Sequence, residues 1–476
     1  MGCLFTQEGL HRSANTGYNN RSLEQQTDYR FTGVGPKQKG DEQNAMNIYY
    51  FDHYAGSYLH GMEFRPFLMA KRWVQAGHKV TIVASSFSHL RGQNPDLMGQ
   101  KTYSEEIDGV RFFWIRGNHY SGNGMDRVRN ILSFVRGLYH WQNEFIGKDK
   151  PDVIIASSTY PMDIYPAVSI AKKYNAKVIF EVHDLWPQSP MELGKMSKLH
   201  PFIQVTQRAE NYAYQNSDYV VSLLPNAKEH MLEHGMKPEQ YVYVPNGVEA
   251  SDWKEPDDLE DAVYYDLLHQ FHEEGYFLVG YAGAHGLANA LDSFVEAGSK
   301  LKGEKVKLIL VGQGPEKTRL QQKINDLGLR DTVETLEAVK RSQIPGLLAQ
   351  FDALYIGTQR KPVFQYGISP NKLFDYMMAA KPIIYAIEYD KNAVEKSGCG
   401  ITIRAERSAA IARAAVQLSQ KSPEERRKMG QRGKEYVLQN HEYGVLADRF
   451  LEVLERPKRL PAKKASDEKA GDSSKR

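Results

Sequence analysis

The stretch Ser369-Pro370-Asn371-Lys372-Leu373-Phe374-Asp375-Tyr376 places a cation and a carboxylate three residues apart, on one edge of an expected helix. Its opening reads as a helix N-terminus, with Ser369 as N-cap and Pro370 in the first turn, where its missing N–H costs nothing. Unpaired amide groups point out of such an end and give it partial positive charge. Lys372 opposes that charge unless an anion sits there, and a phosphate suits both groups. Asp375 then stands ready for a hydroxyl beside the phosphate, while Leu373, Phe374, Met377 and Met378 form the face to be buried. The plain alternative is an amphipathic helix with a surface Lys–Asp pair.

Other residues with chemical potential fall at expected strand ends. Glu181-Val182-His183-Asp184-Leu185-Trp186-Pro187 closes a strand over Lys177–Val182, so His183 and Asp184 emerge at its carboxyl end, where open α/β sheets bind ligands. The loop Tyr54–Gly61 after the first strand is placed in the same way and offers Gly56, Tyr58 and His60 to a second substrate. Gly283-Ala284-His285-Gly286, followed by Leu287, lies between a strand and a helix; its small residues let a ligand approach the backbone, with a helix N-terminus behind.

Strand–helix alternation from Met46 onward sets these positions. Expected strands at Asn47–Phe51, Lys79–Ala84, Val110–Trp114, Val153–Ser157, Lys177–Val182, Asp218–Leu223 and Tyr241–Val244 make one Rossmann-like domain over residues 46–250. A charged linker over 251–275 includes Asp257, Asp258, Glu260 and Asp261, which read as solvated rather than as a metal site, so no metal is assigned. Alternation then restarts at Tyr276–Ala282 and continues to a second domain ending near 438. The expected fold class is α/β, with two doubly wound domains facing across a cleft. A helix over 439–455 is expected to return to the first domain, between a leader at 1–45 and a basic tail at 456–476 that both read as disordered.

Composition excludes several classes. With 41% hydrophobic and 25% charged residues and no long apolar run, nothing is expected to span a membrane. Cys3 and Cys399 are too few for a disulfide framework or a cysteine zinc site, which suits a reducing cytoplasm. The net charge of +3 hides a body of about −2, because the last 21 residues alone carry eight Lys/Arg against three Asp/Glu. That is not a nucleic-acid footprint. Asp126–Phe145, an amphipathic helix with Arg127, Arg129 and Arg136, suits either its own sheet or an anionic membrane surface.

Several motifs resemble, in order, the family-4 retaining glycosyltransferases of the two-domain GT-B fold, over residues 46–455. Val244-Pro245-Asn246-Gly247-Val248 resembles the end of their acceptor domain and Gly280-Tyr281-Ala282-Gly283 the first strand of their donor domain. Val311-Gly312-Gln313-Gly314-Pro315, then Leu327-Gly328-Leu329 and Val333, is similar to their VGxGP…LGL…V block. Ser369–Pro382 resembles their donor-site helix, especially in the bacterial cell-surface polysaccharide branch with its N-acetyl-fucosaminyl transferases. Two departures stand out: the first acid of the family's E-x7-E falls on Gly367, and its usual Arg/Lys loop reads Ala284, His285, Leu287 and Asn289 here.

The resemblance implies transfer of a sugar from a nucleoside-diphosphate sugar, preferably a UDP-sugar, to a glycan or lipid-linked saccharide, with retention and without a metal or other cofactor. It assigns catalysis to His183, Asp184 and Lys372. Donor binding falls to Asp375, Lys372, Ser369, Asn371, Gly283, His285, Gly286, Leu287 and Arg360, and acceptor binding to Gly56, Tyr58 and His60. A cytoplasmic protein with peripheral contact at an anionic inner membrane face follows from the same comparison. The departures keep open a catalytically silent nucleotide-sugar-binding protein, and the two-domain architecture keeps open a sugar-nucleotide epimerase.

Overall fold

The computed structural model describes residues 45–120, 122, 124–253 and 262–459. The leader, most of the basic tail and the acidic run Asp257, Asp258, Glu260 and Asp261 lie outside the described residues.

The first domain contains strands β1 (Asn47–Phe51), β2 (Lys79–Ser85), β3 (Thr102–Ile107), β4 (Val110–Ile115), β5 (Val153–Ala156), β6 (Lys177–Val182), β7 (Tyr219–Ser222) and β8 (Tyr241–Tyr243). They lie in the order β3-β4-β2-β1-β5-β6-β7-β8, with only β3 antiparallel to its neighbour. In the second domain β9 (Phe277–Ala282), β10 (Val306–Val311), β11 (Val333–Leu336), β12 (Ala353–Gly357), β13 (Ile383–Ala386) and β14 (Gly400–Ile403) form a wholly parallel sheet in the order β11-β10-β9-β12-β13-β14. Central strands such as Val306-Lys307-Leu308-Ile309-Leu310-Val311 are buried throughout, as sheets covered by helices on both faces require. Strand order reverses between β1 and β5 and between β9 and β12, so each domain opens its crevice at the loops that follow those strands.

Two strands escape the sequence pattern. In β3, Tyr103-Ser104-Glu105-Glu106 sits half-exposed at a sheet edge, and β14 is a four-residue edge strand behind Gly398-Cys399-Gly400. Edge strands bury too little to show a strong hydrophobic signature.

The expected linker is partly a domain element. Tyr265–Glu273 forms a helix whose Leu268 and Phe271 enter the second core, so the second domain begins before residue 276. Helix Pro423–Asn440 packs against helix Asn371–Met378, and the chain then crosses back at His441. Helix Tyr443–Glu455 buries Leu446, Phe450, Val453 and Leu454 on the first domain, where the Trp73 indole N–H donates to the Ala447 carbonyl at 3.0 Å. Burial of four such side chains contributes on the order of 6–12 kcal/mol before the entropy of ordering the helix is subtracted. Arg456–Arg459, assigned to the disordered tail on composition, instead follow the first domain: Tyr219 donates to the Pro457 carbonyl at 3.0 Å and the Arg459 N–H to Asp218 at 2.7 Å.

The expected helix over Asp126–Phe145 is two helices, Met125–His140 and Gln142–Ile146, broken at Trp141. Its apolar stripe, Ile131, Phe134 and Leu138, lies in the first core. Arg127 covers the Tyr54 ring at 5.8 Å, and Arg129 pairs with Asp126 at 2.7 Å. The stripe that a membrane would need is therefore spent on the helix's own sheet. Among the described residues no helix is long and apolar enough to cross a membrane.

Candidate active site

In the second domain, Lys372 leaves the first turn of helix Asn371–Met378 and donates to the Tyr281 hydroxyl and to the Asn289 side-chain carbonyl, both at 2.8 Å. Its ammonium lies 4.6 Å from the Tyr281 ring centroid. Tyr281 passes its own proton to the Ala284 carbonyl at 2.7 Å, which ties the helix to the loop after β9. Neither partner of Lys372 is charged, and among the described residues no carboxylate pairs with it. Burial pushes the amine down to about 7.

His285 sits beside this cation, 1% exposed, with no protein partner on either ring nitrogen. Burial first, then Lys317 and Lys372, hold its imidazole down at about 4, so it is neutral. Lys317 is turned to Glu337 at 2.6 Å. The loop carrying His285 packs closely on the loop after β10: a Cβ at Gly312 would stand 1.9 Å from the Gly283 carbonyl oxygen. Gly312 and Gly283 thus permit a backbone approach that no side chain would allow. The expected helix N-terminus behind Gly286 is displaced: Gly286 is extended, Leu287–Asn289 form a 3₁₀ turn with Leu287 46% exposed, and the helix starts only at Leu291.

Ser369 is not the N-cap. Pro370 occupies that position, while the Ser369 hydroxyl accepts the Asn246 N–H at 2.8 Å and its carbonyl accepts the Asn246 side-chain amide at 2.9 Å. Asn371 starts the helix with its side-chain oxygen buried and unpartnered. Arg360, expected near Lys372, turns to Glu388 at 3.7 Å and stays 60% exposed, with its N–H on Glu406. It belongs to the surface behind β13, not to the Lys372 pocket.

Asp375 faces a different set of neighbours from Lys372. It closes a cavity of about 260 Å³ with Asp252, Trp253, Arg341, Ser342, Ile344 and Pro345. Burial raises its pKa while Arg341, 3.6 Å away, and Trp253 oppose the rise. Gly367, which stands where the family's first acid would fall, has φ +87° and is pressed against the first domain; a Cβ there would lie 2.4 Å from Pro225 Cγ. The Asn226 N–H donates to the adjoining Tyr366 carbonyl at 3.0 Å. A domain contact thus occupies that position.

Across the cleft, His183 and Ser157 are linked at 2.8 Å, and Ser157 donates to Glu181 at 2.6 Å. Glu181 is fully buried, accepts from Tyr50, and pairs with fully buried Arg65 at 2.8 Å; Arg65 in turn donates to the carbonyls of Val244 and Pro245. Burial would raise the Glu181 carboxyl, but Arg65, His183 and Ser157 hold it well below its usual range. Burial would likewise lower His183, yet Glu181, Asp52 and Glu63 raise it to about 9. Burial lifts Asp52 to about 7 despite His183. Asp184 follows at the solvent-facing end of the strand.

The expected second-substrate loop is only partly there. Gly56 makes a tight turn, its N–H on the Glu63 carbonyl at 2.8 Å, and a Cβ would meet the Gly61 oxygen at 2.1 Å. His60 packs on Trp114 and lies 3.4 Å from Glu105, and Tyr58 reaches Asp108; both therefore point to the β3–β4 hairpin rather than to His183. Asp52 and Glu63 take their place around His183. Asp52 directly follows β1, so the strand-end rule that selected His183 selects it too. Tyr281, Asn289, Arg341 and Trp253 left no comparable signal, because a strand, two 3₁₀ turns and a loop bring them together only in three dimensions.

Two parallel doubly wound domains, with these residues at facing strand ends, define the GT-B class of glycosyltransferases. Family models agree in both halves: the glycosyl transferase 4-like domain matches residues 60–247 and the glycosyl transferases group 1 model residues 277–421. The chain thus carries a glycosyl transferase 4-like domain followed by a glycosyl transferases group 1 domain, on the GT-B fold. It is 23% identical over 207 residues to the putative colanic acid biosynthesis glycosyl transferase WcaI of Escherichia coli (strain K12), a match over 43% of this chain and 49% of that protein. The chain thus spans about half the length of the curated relative it matches. Anabaena HepE, crystallised with UDP and glucose, superposes with a TM-score of 0.60 at 16% identity, over 87% of this chain and 100% of that one. Sucrose-phosphate synthase from Thermosynechococcus elongatus does so with 0.65 at 14%, over 86% and 98%.

Proposed function

We propose that the protein moves a sugar from a nucleoside-diphosphate sugar, with UDP as the preferred nucleotide, to a hydroxyl of a glycan or lipid-linked saccharide in cell-surface polysaccharide assembly, with retention at the anomeric carbon. The observation that carries this reading is Lys372: a recessed cation with neutral partners, at a helix N-terminus, beside a His285 whose two ring nitrogens have no protein partner. Such a pocket is built for an anion. A UDP complex of a GT-B neighbour with the same fold supports the choice of nucleotide.

In this reading Asp375 and the cavity beside Arg341 and Trp253 take the nucleoside, and Lys372 with the amide groups of its helix takes the diphosphate. As the bond from the anomeric carbon to the diphosphate oxygen breaks, negative charge grows on the leaving group, where the fixed ammonium and N–H dipoles stabilise it without a resident metal. His183, kept protonated by Glu181 3.5 Å away, binds donor sugar or acceptor oxygen rather than removing a proton. The acceptor hydroxyl proton then passes to the departing phosphate as the new glycosidic bond forms on the same face.

Incubation with a panel of labelled nucleoside-diphosphate sugars, with and without membrane-extracted glycan acceptors, tests the proposal. Acceptor-dependent release of nucleoside diphosphate, with an α-linked product from an α-donor by NMR, is expected. Binding without turnover, or sugar conversion without acceptor, would replace it with one of the two alternatives.

A further inference from the structure

A third cluster lies apart from both sets of donor and acceptor residues. Helix Pro201–Asn216 carries Glu210, and helix Lys228–Glu233 carries His230 and is followed at once by His234. His230 Nε2 lies 3.0 Å from Glu210 Oε1, and the two imidazoles stack with centroids 4.2 Å apart. One ligand atom from each of the three residues falls within 4.8 Å of the others. Two histidines four residues apart and a carboxylate from a facing helix form a donor set of the kind zinc takes.

The surroundings match what a metal site needs around its ligands. Gln207 donates to Glu210 Oε2 at 2.7 Å and the Tyr214 hydroxyl to Oε1 at 3.1 Å. His234 Nδ1 donates to the His230 carbonyl at 2.8 Å, which sets its tautomer and leaves Nε2 with a free lone pair. Glu210 and Tyr214 also line a small cavity shared with His183 and Asp184, with room for about one water. A plain buried His230–Glu210 pair accounts for two of the three residues; His234, held by the His230 carbonyl and stacked on the His230 ring, brings a third ligand atom within 4.8 Å of theirs. Over the cluster lies the second domain: the Tyr366 ring packs on His230 at 5.3 Å.

We propose that Glu210, His230 and His234 bind one zinc ion, with water completing the coordination, beneath the Tyr366 contact that joins the two domains. This site was not legible as a metal motif, since Glu210 and His230 are 20 positions apart and the intervening residues include a strand. It is independent of the sugar-transfer reading.

The full chain, stripped with chelator and dialysed, is titrated with zinc chloride by calorimetry and with cobalt chloride by visible absorption. One equivalent of zinc, the intense visible bands of four-coordinate cobalt, and a melting temperature raised by about 5 °C with free zinc at about a hundred times its Kd are expected. His234→Gln and Glu210→Gln should each weaken zinc by more than the roughly 10–100-fold that loss of an outer-shell partner costs. His269→Gln, at an exposed helix position beside Glu273, should leave it unchanged. Absence of stoichiometric zinc binding overturns the proposal. So does full zinc affinity in His234→Gln, whose part-exposed side chain can be changed without emptying the core.

Discussion

Asn246 and Ser369, 123 residues apart, form a double hydrogen bond: the Asn246 backbone N–H meets the Ser369 hydroxyl at 2.8 Å and its side-chain amide meets the Ser369 carbonyl at 2.9 Å. Asn246 ends the first domain and Ser369 leads into the Lys372 helix, so the pair fixes that helix relative to the domain junction. On the other side of the same turn, Gly247 lies so close to the His441 carbonyl that a Cβ would stand 2.1 Å away. Ser369→Ala leaves the Asn246 N–H unpaired and should cost about 1–3 kcal/mol. Calorimetric melting should show this loss together with weaker UDP binding.

Lys372 and Asp375 share a helix edge but contact different neighbours, so their losses should separate. Lys372→Ala should weaken UDP by about 10–100-fold, the worth of a hydrogen bond to a charged group, while leaving uridine unchanged. Asp375→Ala should weaken both ligands alike. Isothermal titration with nucleoside and nucleoside diphosphate decides this, and equal losses for both ligands in both variants would refute the division.

The depressed Lys372 amine makes diphosphate binding depend on pH. In the free protein the ammonium is present below about 7 and lost above it. UDP affinity should therefore be highest near and below about pH 7 and fall by up to tenfold per unit above it, levelling off once pH passes the raised pKa of Lys372 in the complex. Lys372→Arg should flatten the profile. For folding the sign is opposite: the unfolded lysine keeps its proton to about 10.4, so between about 7 and 10.4 the unfolded state binds more protons and this residue's penalty shrinks as pH rises.

Glu181 holds both a buried guanidinium and His183. Glu181→Gln leaves Arg65 charged, wholly buried and without its anion, and should destabilise the first domain by about 3–5 kcal/mol. It should also return the His183 imidazole from about 9 toward or below its ordinary range. The raised His183 pKa stabilises the fold fully below about 6.5, and that gain is lost as pH rises through about 9. Imidazole NMR titration of wild type and variant checks the shift.

Restoring the family's acid at Gly367 should fail. Gly367→Glu forces a side chain onto φ +87° and into Pro225, so a fall in melting temperature and no gain in turnover are expected. A stable, more active variant would show that the Tyr366–Asn226 contact is not needed.

The Rossmann alternation was legible because twelve of the strands follow the apolar pattern between helices; β3 is rich in polar residues and half-exposed, and β14 is four residues long and opens on a glycine. The Lys372–Asp375 pair and the His183 strand end were legible too, because helix period and strand order act over a few residues. By itself the sequence determined two doubly wound domains and placed His183 just past the end of β6 and Lys372 in the first turn of its helix. Tertiary structure alone decided the rest. Ser369 gave up capping for Asn246, His60 turned to Glu105, Arg360 turned to Glu388, and Tyr281 and Asn289 met Lys372 from residues more than 80 positions away. Each outcome is a competition among hydrogen-bond partners brought close only by packing, and no local pattern records which partner wins.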